Sequence, residues 1–196
     1  MRRVDLLLTA CLVLELATAS YGFDGKRKGL VLGAGFGVAP AVSWNTRHTD
    51  FDNHESKHSE VRAGGAANIL VGYAWRERDM IALEANGASM NSDYNNAVIL
   101  QGYTGPVWYH YFPTRPNAFF SAAGIGLFSH RVEYKEHLGH IVNDPGLGWL
   151  GGIGFEFRRH CQVSVVVNGG NTSFSSNGAI TFHHLNLEVL ANFMAY

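Results

Sequence analysis

His48, His54 and His58 share one polar stretch with Asp50, Asp52 and Glu55. Imidazole and carboxylate are metal-ligand types. These residues follow no helix or strand period, so nothing in the pattern preorganises them, and they are weak metal candidates on a solvated surface. His137 and His140 stand near Asp144 with the same shortcoming. His183 and His184 are adjacent, so on a strand they face opposite ways and cannot chelate together. Ser173, Ser175 and Ser176 lie close to His183, but no serine–histidine spacing supports acyl transfer, and the chain reads as a non-enzyme. Gly33, Gly35 and Gly37 alternate too closely for a dinucleotide fingerprint, and no helix with a ribose-binding acid follows. No cofactor is implied.

A different set is more informative. Arg62, Glu84, Glu156 and Glu188 are isolated charges inside otherwise uncharged apolar stretches. Their placement depends on the elements that carry them.

The chain has 196 residues with 15 Lys and Arg, 16 Asp and Glu, and net charge −1. That balance offers no basic field for nucleic acid. Charged residues make up 16%, against 46% hydrophobic, and glycine occurs 23 times. The low charge and the many apolar and aromatic residues argue against disorder. Two cysteines cannot staple a small disulfide scaffold.

Arg2 and Arg3 precede an apolar run from Leu6 to Leu14, and Ala17 and Ala19 offer small residues for cleavage. This is the plan of a secretory signal peptide over 1–19. Acylation of Cys11 is the competing reading of that segment. Residues 20–28 then form an N-terminal periplasmic segment, and 29–196 a single domain.

Within that domain the apolar pattern has period two. From Gly29 to Trp44 no residue is charged; Leu30, Leu32, Ala34, Phe36 and Val38 alternate with Val31, Gly33, Gly35, Gly37 and Ala39. The same alternation predicts strands at 29–44, 61–74, 80–89, 97–112, 117–129, 147–157, 162–170 and 179–196. All four isolated charges share a parity with glycine or amide residues and oppose the large apolar side chains. Leu187, Val189 and Phe193, for example, oppose His184, Asn186, Glu188 and Asn192. A narrow polar interior and an apolar exterior follow. The predicted polar network of the lumen is Arg62, Asn68, Glu84, Asn86, Gln101, Glu156, Ser164, Asn168, His184, Asn186, Glu188 and Asn192, with Arg158 available to Glu156.

Connections alternate in length. The short ones are 75–79, 113–116 and 158–161; the longer ones are 45–60, 90–96, 130–146 and 171–178. Short turns on one side and longer loops on the other mark a transmembrane barrel. Aromatics crowd the strand ends, as at a membrane interface: Tyr73, Trp75, Tyr109, Tyr111, Phe112, Phe119 and Tyr196 by the short turns, Phe128 and Trp149 by the longer loops.

With these patterns the chain resembles the small Gram-negative outer-membrane β-barrels, the OmpA-like and OmpX-like eight-stranded group. The most family-like pieces are Gly29–Val38, Pro116–Phe128 and Gly151–Phe157. The resemblance implies an all-β, eight-stranded antiparallel up-and-down barrel, exported to the bacterial outer membrane. It implies outer-membrane lipid and the barrel assembly machinery as partners, and an extracellular partner for loops 45–60 and 130–146. The C-terminus departs from the family pattern. Tyr196 shares its parity with Met194, Asn192 and Glu188, so the strand either carries a bulge or ends on a weak assembly signal. A structural or surface-interaction role is the reading adopted. A narrow porin-like channel is the alternative, and a secreted lipocalin-like carrier the second.

Overall fold

The computed structural model describes residues 27–47, 57–92, 97–112, 117–134, 140–157, 160–175 and 179–196. Loop residues His48 and His54, the sequence around Arg158, and the first 26 residues lie outside that set. The described chain forms β1 (Gly29–Arg47), β2 (Lys57–Arg76), β3 (Asp79–Ser92), β4 (Ala97–Tyr111), β5 (Ala118–Tyr134), a three-residue β6 (His140–Val142), β7 (Asp144–Phe157), β8 (Cys161–Ser175) and β9 (Ala179–Ala195).

Each long strand pairs antiparallel with its sequence neighbour, β6 being a small addition to the edge of β5. The first and last strands also pair, from Leu32 opposite Ala195 to Arg47 opposite Ile180. The eight long strands thus close into a ring without free edges. Gly29 opens β1 with φ of 95°, a left-handed backbone that glycine adopts without Cβ strain.

One stretch of wall needs a side chain to complete it. Between β4 and β5 the pairing runs to Thr104 opposite Leu127 and resumes at Val107 opposite Gly124. Pro106 has no N–H to give there. The fully buried Tyr103 hydroxyl donates to the Pro106 carbonyl at 2.8 Å and supplies that acceptor with a donor.

The orientation of the wall is the one the parities predict. Ile69, Ile153 and Leu187 are 64%, 68% and 41% exposed, whereas Glu188 is 0% and Asn68 5% exposed. Phe36, Leu83, Ile125 and Leu147 continue the outer apolar surface. So wide an exposed apolar belt belongs in lipid. A lipocalin-like carrier needs the opposite orientation.

Four expectations are corrected. Strands run further than their apolar stretches: β2 has 20 residues, about twice the 9–11 a tilted strand needs to cross hydrocarbon. The predicted loops 45–60, 130–146 and 171–178 are therefore partly strand, and His58 lies in β2 opposite Asn45. Beyond the bilayer, hydrogen-bonded pairing continues without an apolar face to report it. Tyr109, Tyr111, Phe128 and Tyr196 are buried in the lumen rather than placed in the interfacial belt; Trp108 and Phe112 are the outward pair of β4. The lumen is polar mainly at its middle. Val31, Leu70, Met80 and Met194 fill it toward the short turns, and Met90, Ile99 and Phe128 toward the loops. Finally, β8 and β9 stay in one register from Cys161 opposite Phe193 to Ser175 opposite Ala179. No bulge re-aims Tyr196, and Phe193 is the last outward aromatic.

Ile69 sits midway along the outer face of β2. An Ile69→Arg substitution is expected to cost about 2–4 kcal/mol of stability in lipid, and Ser89→Arg, nearer the outer strand ends, about 0–1. Urea unfolding in lipid vesicles, followed by tryptophan fluorescence, checks this ordering.

Candidate functional site

The interior is where the sequence placed its isolated charges. Inward parity brings most of them together. Glu84 on β3 is 1% exposed. Its Oε1 accepts from Asn68 Nδ2 at 3.1 Å and from Asn86 Nδ2 at 3.3 Å. Its Oε2 accepts from the Tyr109 hydroxyl. A carboxylate only accepts, so these contacts orient both amides: each must turn its NH2 toward Glu84.

From Asn86 the network crosses the barrel. Asn168 on β8 donates through Nδ2 to Asn86 Oδ1 at 3.1 Å and to Glu188 Oε1 at 2.8 Å. Asn186 on β9 donates to Asn168 Oδ1 at 2.9 Å. Gln101 on β4 donates in turn to Asn186 Oδ1. Four strands, drawn from both halves of the chain, are tied through the axis. Asn192 donates to Ser164 Oγ at 3.0 Å. Buried amides can both give and accept, which makes them suitable for a lumen too narrow to hydrate each group separately.

A second cluster closes the short-turn end. Glu156 on β7 is 2% exposed. Its cation is Arg27, whose Nε stands 3.3 Å from Glu156 Oε1. The guanidinium also lies 3.9 Å from the centre of the Tyr111 ring and donates to the Glu77 carbonyl at 2.6 Å. Gln162 Nε2 donates to Glu156 Oε2 and to the Tyr111 hydroxyl, both at 3.0 Å. Tyr196 is buried beside His160, with ring centres 5.3 Å apart. Arg27 precedes the first strand, so no periodicity could have pointed to it. Gln162 and Tyr111 were legible by parity alone.

A third cluster stands toward the loops. His184 stacks with His130, ring centres 4.6 Å apart, and with Phe128, ring centres 5.4 Å apart. Thr172 Oγ1 lies 3.0 Å from His184 Nε2. Asn143, just after β6, donates from Nδ2 to Thr172 Oγ1 and His130 Nδ1, each at 3.2 Å. Among the described residues no three His, Cys, Asp or Glu side chains converge as metal ligands. Of the twelve predicted lumen residues, Arg62 and Asn192 are half-buried and the other ten are buried.

An antiparallel ring of eight strands, apolar outside and hydrogen-bonded inside, defines a transmembrane β-barrel of the small outer-membrane class. Solved structures agree on that fold. Neisserial surface protein A matches over 86% of this chain and 97% of its own, with 13% identity and a TM-score of 0.57. The outer membrane protein OprG of Pseudomonas aeruginosa matches over 89% and 99%, with 11% identity and a TM-score of 0.51. The sequence itself matches no family model and no curated protein. The chain has the fold of a small outer-membrane β-barrel, with the apolar belt that such a barrel turns to lipid.

Removing Arg27 leaves Glu156 buried without its cation. Arg27→Ala is expected to lower stability by about 3–5 kcal/mol, the usual result of breaking one side of a buried pair. Adding Glu156→Gln to it should restore a large part. The heat-modifiable gel shift of the three barrels, read against temperature, compares them directly.

Proposed function

We propose that this barrel is a closed, non-catalytic scaffold, whose role is to hold its outer strand ends and loops at the cell surface for contact with another molecule. The observation that supports this reading is the amide and carboxylate network joining Gln101, Asn186, Asn168, Asn86 and Glu84 across the lumen. A conduit needs a continuous hydrated path, and these side chains occupy the axis with one another. The Arg27 cluster narrows the short-turn end further. At the other end β1 and β2 remain paired up to Thr46 and Lys57, and β6 pairs with β5. The wall there is a continuous sheet, since β1 also pairs with β9 out to Arg47 and β5 with β4 out to Tyr134.

Reconstituted into planar bilayers, the wild-type barrel is expected to add no steady conductance. A steady unitary conductance that shifts in Glu188→Gln or Arg62→Ala would replace the scaffold with a narrow channel. The surface role has its own test. Exchanging residues 48–56 for a short glycine–serine turn should leave heat-modifiable migration intact. It should also bring adherence of barrel-bearing cells to extracellular-protein coatings down to the level of cells without the barrel. Undiminished adherence assigns the contact elsewhere.

A further inference from the structure

From Pro145 to Gly148 β7 advances three residues while its partner β8 advances two, from Thr172 to Gly170. An extra residue of this kind bulges a strand and re-aims its side chains. Beside the bulge, on the outer surface, lies a depression of about 370 Å3. Ile125, Leu147, Trp149 and Leu185 wall it. The Trp149 indole leans over Gly169, where a Cβ would stand 3.3 Å from Cζ2.

The depression ends on a polar pair. Asn171 on β8 is the register partner of His183 on β9, and both line the hollow. An amide oxygen only accepts, so His183 Nδ1 donates to Asn171 Oδ1, at 2.7 Å. That bond fixes the amide plane and turns the Asn171 NH2 the other way. On the same outer face, Val163, Val165, Val167 and Gly169 lead up to Asn171, and Val189, Leu187 and Leu185 lead up to His183. The pair therefore supplies the first polar side chains beyond the apolar belt on these two strands. That is the depth at which acyl chains join their headgroups.

Its place decides what fills the hollow. An apolar recess does not hold water, and this one opens on hydrocarbon. It lies toward the longer loops, on the side that faces the outer leaflet. We propose that the depression seats one acyl chain of the phosphorylated glycolipid of that leaflet, lipid A, with Asn171 Nδ2 donating to the carbonyl oxygen at the root of the chain. Ile125, Leu147, Trp149 and Leu185 pack the methylenes, and His183 positions the amide. The seat is independent of the surface role, since it lies on the lipid-facing wall below the loops.

The test uses the purified barrel in dodecyl maltoside, incubated with lipid A or with phosphatidylethanolamine and followed by native mass spectrometry. One lipid A is expected to stay bound, saturably, while phosphatidylethanolamine is lost at the same concentration. Asn171→Leu, at an exposed position, should weaken retention about two- to tenfold, the loss of one hydrogen bond. Asn91→Leu, at an exposed position on β3, should leave it unchanged. Heat-modifiable migration verifies that each variant is folded. Should Asn171→Leu fail to fold, wild-type crystals grown with lipid A provide the second measurement, and chain density between Trp149 and Leu185 supports the seat. Equal retention by wild type and Asn171→Leu, equal retention of phosphatidylethanolamine, an equal loss in Asn91→Leu, or no chain density in the depression would overturn it.

Discussion

In hydrocarbon a backbone N–H or C=O has no water to fall back on, and each one left unpaired costs several kcal/mol. Every part of this molecule answers to that demand. It requires a closed ring, so β1 must meet β9 as well as β2. Closing eight strands fixes a lumen just wide enough for side chains. The wall then has one face in lipid and one in a confined interior, and residue types sort between them. Even the local exception obeys the rule: where Pro106 cannot donate, the Tyr103 hydroxyl reaches its carbonyl.

The interior solves a related problem by a different route. Charges there have little water to share, so they depend on amides and on one another. Glu156 obtains an arginine from outside the strands. Glu84 and Glu188 obtain asparagines from the strands paired with their own, and Asn168 carries the link across to Asn86. The apolar side chains above and below, such as Met90 and Met194, confine this polar layer to the centre. The result is an axis crossed by side-chain bonds, which ties distant parts of the chain into one cooperative unit.

Much of this was legible from the residues because a strand's period is two and local. The parity of Glu188 against Leu187 and Val189, or of Asn68 against Ile69, suffices to say which face each occupies. The same parity read strictly would have moved Tyr109 and Tyr111 inward, since Trp108 and Phe112 face the lipid; crowding near a strand end was the weaker guide. The partners were not legible. Asn168 meets Asn86 across 82 residues of chain, and such pairing depends on closure and strand tilt, which no short window carries. Arg27 lay outside every alternating segment. The outer parts of β1, β2 and β5 were hidden for another reason. Past the headgroups both faces of a strand meet water, and composition there looks like that of a loop.

Tyr196, just past β9, makes a poor attachment point for an affinity tag or a dye. Its ring is 2% exposed and packed beside His160 at the short-turn end. Any extension would have to leave past the rim that this ring helps to fill. Handles for purification or imaging are better inserted in the segment between β1 and β2, on the opposite side of the membrane from this stopper.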